Sequence, residues 1–210
     1  EYSTKKDSAF IWLPEITFDS LKIKIKDRDT SQVVTTINRN QKDTYVRSVV
    51  ISNNLINEKL NPYSDLLLSF SSPMAEYNIS KITLLEDSIP VTGFQIAKDS
   101  LSTRKFKFEF PWKPQKMYVI TLGDSSFTDI YNTKSKKYSK KLMLDPEENY
   151  ANLTLAVTVP DTTKSYLIKL FNDKKNKLRT DIISKNTLIK YSNYLIGKYT
   201  IQVVYDTNKN

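Results

Sequence analysis

Strict alternation of apolar and polar residues is the feature that most constrains how this chain can fold. The segment Leu21-Lys22-Ile23-Lys24-Ile25-Lys26 places three aliphatic side chains on one face and three lysines on the other. The same period of two recurs at residues 106–110, 153–159 and 199–205. A period of two is typical of a β-strand with one buried face, whereas an amphipathic helix repeats every 3.6 residues. The sequence therefore predicts an all-β protein.

Further apolar runs extend the same pattern along the chain. They predict strands at residues 32–37, 45–51, 66–70, 82–85, 118–122 and 166–171. Polar breaks rich in Asn, Asp, Ser, Lys and Pro separate the runs every ~8 to 15 residues, as the connections of a β-sandwich do. We expect three parts: an N-terminal β segment at 1–60, one sandwich at 61–145 and a second at 146–210. The first part is either an incomplete domain or an extension packed on the next one.

Two short motifs between about residues 65 and 142 resemble a known family. Residues 66–74 form a hydrophobic run that ends in Phe-Ser-x-Pro-Met, and residues 118–122 form a strand that begins with Tyr. Residues 127–132 then read Phe-Thr-Asp-Ile-Tyr-Asn. This order resembles the bacterial Ig-like domains of the surface-layer type, in which Gly is expected where Asn132 stands. Asn can replace Gly there because Asn tolerates a positive φ.

The C-terminal third resembles a second family. Residues 194–201 read Tyr-Leu-Ile-Gly-Lys-Tyr-Thr-Ile, which is similar to the Leu-x-Pro-Gly-x-Tyr-x-Leu signature of transthyretin-like, carboxypeptidase-regulatory β-sandwiches. Ile196 replaces the proline. The two resemblances together cover about two thirds of the chain, and such tandems are familiar in envelope lipoproteins of Bacteroidota. They imply tandem Ig-like and transthyretin-like sandwiches, outside the cytoplasm, at the periplasmic or outer face of the bacterial outer membrane.

Composition argues against several kinds of catalyst. The chain contains no Cys and no His, which excludes disulfides, thiol nucleophiles, Ser-His-Asp triads and the usual zinc sites. Glu147 and Glu148 are adjacent and would point to opposite faces of a strand. That pair and the pair Asp27 and Asp29 both lie in polar segments, where carboxylates are usually solvated. We therefore expect a protein that is not an enzyme and needs no cofactor, with a carboxylate-based glycan hydrolase as the third alternative.

The net charge of +9 raises the question of an anionic partner. The lysines are spread along the chain, and the densest run, at residues 134–141, has the composition of a solvated hairpin or of an edge strand protected by lysine. No nucleic-acid-binding motif accompanies the charge, so we do not expect nucleic acid as a partner. An anionic surface remains a possible partner.

Two apolar segments are candidates for a protein interface. Phe10, Ile11, Trp12 and Leu13 form an apolar run, which is either the core of a missing domain or a contact for a partner. Trp112 lies between Pro111 and Lys113-Pro114, where proline favours an edge position, although large aromatic residues usually fill sandwich cores.

A calcium site and sugar attachment are further hypotheses. Asp206, Asn208 and Asn210 place oxygen ligands at alternate positions, as a calcium-binding loop begins, although a polar turn has the same composition.

Asp-Ser/Thr followed by Ala, Ile, Leu or Thr occurs five times and resembles the O-glycosylation triplet of Bacteroidota envelope proteins. The acceptor hydroxyls would be those of Ser8, Ser20, Ser88, Ser100 and Thr162. Turns that precede strands also favour Asp-Ser/Thr.

We therefore expect a non-enzymatic structural or interaction subunit of an outer-membrane-associated assembly. Its partner would be an outer-membrane protein or a lipoprotein complex, and it would reach the membrane only through an upstream lipid-bearing segment. The alternative is a surface adhesin or glycan-binding module. A scaffold would expose apolar segments and strand edges, whereas a glycan binder would carry a shallow groove with an exposed Trp or Tyr.

Overall fold

The computed structural model describes residues 9–13, 19–26, 32–38 and 46–206. Within these ranges the chain is all-β, with eighteen strands and two single-turn 3-10 helices. It divides into two compact units, Glu1–Leu144 and Asp145–Asn210. None of the helices in these ranges is long and apolar enough to cross a membrane.

Unit 1 contains thirteen of the described strands. In chain order they are β1 (Ser20–Lys26), β2 (Gln32–Asn38), β3 (Ile51–Asn53), β4 (Lys59–Leu60), β5 (Leu66–Phe70), β6 (Met74–Tyr77), β7 (Ile82–Glu86), β8 (Ile89–Val91), β9 (Gln95–Lys98), β10 (Lys105–Glu109), β11 (Tyr118–Leu122), β12 (Phe127–Asp129) and β13 (Tyr138–Leu144). A 3-10 helix at Ile79–Lys81 precedes β7.

A sandwich of two main sheets forms unit 1 from residue 51 onward. One sheet has the order β3-β5-β10-β9, the other has the order β4-β13-β11-β7-β8, and β12 pairs with β6 in a small third sheet. Strands β3 and β4 precede Asn61 but pair with β5 and β13, which follow it. The sandwich therefore takes strands from both sides of the boundary predicted at residue 60.

The core of unit 1 lies between the two main sheets and follows from the alternation in the sequence. In β5 the residues Leu66, Leu68 and Phe70 are buried, while Leu67 and Ser69 are partly exposed. Phe106 and Phe108 of β10 are buried on the same sheet. The opposite sheet contributes Ile82, Leu84, Tyr118, Ile120, Leu122 and Leu142. Aromatic rings are prominent, and the Phe70 and Phe127 rings lie 4.5 Å apart.

The turns of unit 1 use left-handed conformations at residues other than Gly. Asp87 and Ser88 both have positive φ and form the two-residue connection between β7 and β8. This is the geometry of a type I′ turn, whose twist matches that of the flanking strands. Asn132 has a φ of 62°, in agreement with the expectation that Asn at this position adopts a positive φ.

β1 and β2 form an antiparallel hairpin of their own. Leu21, Ile23 and Ile25 lie opposite Ile37, Thr35 and Val33, so these side chains share one face, whereas Val34 lies opposite Lys24 on the other face. Ile25, Val33 and Ile37 are all more than half exposed.

Unit 2 is a smaller sandwich of five strands. These are β14 (Tyr150–Val157), β15 (Ser165–Asn172), β16 (Lys177–Ile183), β17 (Thr187–Leu195) and β18 (Tyr199–Asp206), preceded by a 3-10 helix at Glu147–Asn149. One sheet is the pair β14-β17 and the other has the order β16-β15-β18. Its core contains Val159, Tyr166, Ile168, Leu170, Ile183, Ile189 and Tyr191.

Candidate functional site

An open groove of about 780 Å³ lies on unit 1. Four segments line it: the loop between β4 and β5, the connection from β8 into β9, the end of β10 with the loop that follows, and the end of β13. The lining residues are Pro62, Tyr63, Ser64, Asp65, Gly93, Gln95, Glu109, Phe110, Pro111, Trp112 and Leu144. The surface therefore combines aromatic rings with amide, hydroxyl and carboxylate groups.

Trp112 lies between the core of unit 1 and this groove. It is partly buried and packs against the core, and its ring lies 4.9 Å from that of Tyr118 in an edge-to-face contact. The Phe110 ring is 5.2 Å away, also in an edge-to-face contact. The sequence allows a core position or an exposed edge position for Trp112, and in the structure its ring packs on the core and also lines the groove.

The loop that carries Trp112 is held by a buried tyrosine. Lys113 donates its backbone N–H to the hydroxyl of Tyr118 at 2.9 Å, and that hydroxyl donates to Glu86 Oε2 at 3.2 Å. Lys113 Nζ also donates to Glu86 Oε1 at 3.0 Å. The hydrogen bond from Lys113 lowers the pKa of Glu86, whereas burial raises the pKa of Tyr118. The backbone of Lys113, next to Trp112, is therefore fixed by the hydroxyl of Tyr118, which in turn is held by Glu86.

The polar groups of the groove come from neighbouring strands and a short turn. Glu109 lies directly opposite Gln95 in the β10–β9 register, and both residues are exposed. Asp65 Oδ2 lies 3.1 Å from Lys107 Nζ. Tyr63 is 49% exposed, and its backbone N–H donates to Asn61 Oδ1 at 2.8 Å, so an Asx turn positions it.

The apolar run at residues 10–13 is partly covered by its own chain. Phe10 is 45% and Ile11 60% exposed, whereas Trp12 and Leu13 are half-buried. The rings of Phe10 and Trp12 are stacked, with centroids 6.3 Å apart. The guanidinium of Arg104 lies over both rings, 5.0 Å from Phe10 and 5.4 Å from Trp12. Nε1 of Trp12 is buried and has no hydrogen-bond partner among the described residues.

The two motifs of the Ig-like resemblance meet beside this segment. Ser72, from the Phe-Ser-x-Pro-Met run, donates its hydroxyl to Oδ2 of the buried Asp129 at 2.8 Å. Asp129 Oδ1 accepts the backbone N–H groups of Tyr131 at 2.9 Å and Thr133 at 2.8 Å. Asp129 therefore ties the start of β6 to the turn after β12. A pocket of about 240 Å³ adjoins these residues.

Unit 2 has an apolar face that the described strands of this unit leave exposed. In the middle strand β15, Tyr166, Ile168 and Leu170 point into the core and are at most 3% exposed. Their partners across the ladder on β18 are Tyr205, Val203 and Ile201. Residues directly opposite each other lie on the same face of a sheet. Those β18 side chains therefore point toward the core side, yet they are 64%, 52% and 40% exposed.

The width of the opposing sheet explains this exposure. Arg179 and Asp181 of β16 contact Tyr191 and Lys190 of β17, which places β17 over β16. Leu155 and Val157 of β14 pack on the core, so β14 covers β15. The two-stranded sheet ends there, and in the described part of the chain nothing pairs with the outer edge of β14 or of β18.

A tyrosine-lined pocket of about 240 Å³ opens at one end of this sandwich. Tyr191, Tyr194 and Tyr199 line it, with Leu153 and Leu170. The hydroxyl of Tyr199 donates to the carbonyl of Leu195. Burial is the main cause that raises the pKa of both Tyr191 and Tyr199, so both hydroxyls are neutral near pH 7.

The predicted calcium ligands and sugar-bearing hydroxyls lie partly outside the described residues. Ser8, Asn208 and Asn210, and the side chain of Asp206, lie outside the described residues, so the calcium loop stays a prediction. In the described ranges no group of three or more Asp or Glu side chains could hold a metal ion.

The predicted sugar acceptors in the described ranges are all exposed: Ser20 begins β1, and Ser88, Ser100 and Thr162 occupy turns. Two of the preceding aspartates, Asp99 and Asp161, form Asx turns.

The carboxylates considered for catalysis do not form a described pair in a cleft. Glu147 and Glu148 are exposed and lie in the 3-10 helix Glu147–Asn149, and Asp27 and Asp29 lie outside the described residues. The sequence did not single out Tyr63, Gln95 or Glu109. Alternation in β10 could have placed Glu109 on the outer face, but its proximity to Gln95 depends on strand pairing.

Comparisons with known proteins give no family. No family model matches the chain, and no curated protein matches it. Among solved structures, the chain is similar to native alpha-2-macroglobulin from Escherichia coli spanning domains MG0-NIE-MG1, with 11% identity and a TM-score of 0.35. The likeness covers 76% of this chain and 60% of that chain. The resemblances to surface-layer Ig-like and transthyretin-like domains stay predictions.

Proposed function

We propose that this chain is a non-enzymatic interaction subunit that receives a β-strand of a partner protein in unit 2. The observation that carries the proposal is the uncovered inner face of β18, formed by Ile201, Val203 and Tyr205. A strand added to the free edge of β14 would lie over this face and complete the smaller sheet. Its backbone would pair with β14 while its alternate side chains covered β18.

The two edges of unit 2 that border this face, β14 and β18, carry little of the usual protection against such pairing. Edge strands are commonly protected by charged residues or proline. β14 reads Tyr-Ala-Asn-Leu-Thr-Leu-Ala-Val, and residues 199–205 of β18 read Tyr-Thr-Ile-Gln-Val-Val-Tyr, with no charge and no proline in either. An eight-residue strand inserted there would bury on the order of 1,000 Å², which is near the lower bound for a specific interface.

The proposed setting is the bacterial cell envelope. The resemblance of residues 194–201 and of the motifs between residues 65 and 142 to domains of Bacteroidota envelope lipoproteins supports it. The partner would be an outer-membrane protein or another lipoprotein, and an upstream lipid-bearing segment would hold the chain at the membrane. The net charge of +9 would favour approach to an anionic surface.

Affinity purification of the tagged full-length protein from mildly solubilised membranes, followed by mass spectrometry, tests this function. We expect stoichiometric co-purification of one envelope protein. Val203→Lys should abolish it because a charge on the inner face cannot be covered by an apolar strand. Gln202→Lys is the matched control, since it places the same charge on the opposite face of β18. Equal recovery of the partner with both variants would refute the proposed surface.

We also propose O-linked sugar at the exposed hydroxyls of the Asp-Ser/Thr triplets, and intact-mass measurement of native material tests it. The expected result is a mass increase by whole hexose units that decreases when Ser88 and Ser100 are both changed to Ala. A mass equal to that of the unmodified chain would remove the hypothesis.

A further inference from the structure

We propose that the groove of unit 1 is a binding site for an oligosaccharide, independent of the strand-binding surface of unit 2. The inference rests on three features: the size and openness of the groove, the aromatic surfaces that line it, and the polar groups between them, of which Glu109 alone has a carboxylate without an ion-pair partner among the described residues. Each has a specific structural origin.

The dimensions suit a ligand of a few sugar rings. The groove encloses about 780 Å³, which is within the range of sites for small ligands. Gly93 has a φ of +87°, and a Cβ placed on it would have no atom within 4 Å. The positive φ explains the choice of Gly, and the empty space above it leaves this side of the groove open to a chain-like ligand.

Aromatic surfaces line two sides of the groove. Tyr63 is 49% exposed on the Asx turn of Asn61, and Trp112 is held by Tyr118 and Phe110 in edge-to-face contacts. Tyr and Trp combine an apolar ring with a polar group, so they can pack against the C–H faces of a sugar and still reach a hydroxyl. Because the ring of Trp112 is packed and the backbone of Tyr63 is fixed by the Asx turn before a ligand arrives, binding costs less ordering entropy than it would on a loop without these contacts.

The polar groups match hydroxyls better than they match a charged ligand. Gln95 and Glu109 lie side by side in the β9–β10 ladder, and an amide beside a carboxylate can donate to and accept from adjacent hydroxyls. Asp65 is already paired with Lys107 at 3.1 Å, so Glu109 provides the remaining negative charge. Carboxylates would repel the phosphates of a nucleic acid, and an unpaired single carboxylate is a weak attraction for a basic peptide.

Tryptophan fluorescence provides a direct readout of the groove. The chain has two tryptophans, and Trp12→Phe in the full chain leaves Trp112 as the reporter. Titration with N-acetylglucosamine tetramer and with maltoheptaose, preceded by a glycan array of the same protein, should give at least one glycan that shifts Trp112 emission saturably. Isothermal titration calorimetry with that glycan should give the same affinity.

Variants then test the assignment of residues. Tyr63→Ala and Glu109→Gln should each weaken binding about tenfold, which corresponds to the loss of one good contact. Tyr205→Ala is the matched control, since it removes an exposed tyrosine from unit 2 and should leave glycan affinity unchanged. Thermal melts of each variant establish that the fold is retained.

Three outcomes would overturn the inference. These are the absence of saturable binding on the array, glycan affinity that Tyr63→Ala and Glu109→Gln leave unchanged, and displacement of the glycan by peptides at lower concentration than by sugars. The test is separable from that of the proposed function. Val203→Lys should keep glycan binding while it loses the protein partner. Tyr63→Ala should weaken glycan binding while it keeps the protein partner.

Discussion

Tyr118→Phe should destabilise unit 1 while leaving its core volume unchanged. Tyr118 is fully buried, and its hydroxyl accepts from the backbone of Lys113 at 2.9 Å and donates to Glu86 Oε2 at 3.2 Å. The substitution removes both hydrogen bonds but keeps the ring against Trp112 and Phe110. It therefore separates the contribution of the hydroxyl from that of aromatic packing.

The magnitude follows from the two bonds that are lost. A hydrogen bond to a charged group contributes about 1.5–3 kcal/mol, and a neutral one about 1 kcal/mol. Both hydrogen bonds are only partly buried, so water can replace part of what the hydroxyl provides, and the net loss falls near the lower part of the sum. We expect a decrease in the free energy of unfolding of about 2 kcal/mol and a fall in Tm of about 10 °C.

Urea denaturation followed by tryptophan fluorescence measures this change selectively. Trp12 and Trp112 both belong to unit 1, and residues 145–210 contain no tryptophan. The signal therefore reports unfolding of unit 1, and an unchanged slope against urea would indicate that the surface exposed on unfolding is the same.

A double-mutant cycle with Glu86→Gln decides whether the hydroxyl acts through Glu86. The two substitutions share one hydrogen bond, so their effects should be non-additive by about 1 kcal/mol. A loss below 0.5 kcal/mol for Tyr118→Phe (about the scatter of surface substitutions), or full additivity with Glu86→Gln, would refute the reasoning.

Three further predictions follow from single residues. Asp129→Ala should lower the urea midpoint of unit 1 by the equivalent of about 2–3 kcal/mol, because Ser72 and two backbone N–H groups lose their acceptor; an unchanged midpoint would contradict it. Asn132→Gly should be nearly neutral in thermal melts, whereas Asn132→Val should cost about 1–2 kcal/mol at the positive φ; equal melting temperatures would refute the strain argument. Burial raises the pKa of Tyr150 to about 12 against about 10 in the unfolded chain, so its contribution to stability is complete below pH 10 and is lost as the pH rises toward 12. Circular-dichroism melts over that range should show a smaller alkaline loss for Tyr150→Phe than for the original protein, and identical pH profiles would contradict the assignment.

The sequence predicted strands best where a strand has its own alternating pattern. The bounds 66–70 and 118–122 coincide with β5 and β11, and the predicted runs at 32–37 and 166–171 lie inside β2 and β15. The run at 45–51 was predicted too early, since β3 covers Ile51–Asn53. Strands such as Lys177–Ile183 were missed because they alternate weakly and form by pairing with a neighbour.

The candidate site was predictable only in part. Trp112 could be singled out from its proline-flanked position. Gln95 and Glu109 are brought together by the β9–β10 register, which joins residues fourteen positions apart in the chain. Tyr63 lines the same groove from a different segment. Single-sequence patterns carry no information on such pairing.

Alternation in the sequence determined which side chains share a face, while the tertiary structure decided which faces are covered. Phe106 and Phe108 in β10 and Ile201 and Val203 in β18 follow the same period of two. The phenylalanines are buried because a five-stranded sheet lies opposite β10. Ile201 and Val203 are exposed because the sheet opposite β18 is two strands wide and ends over β15. The number of strands in the facing sheet is a property of the assembled fold, so the pattern within β18 could not reveal it.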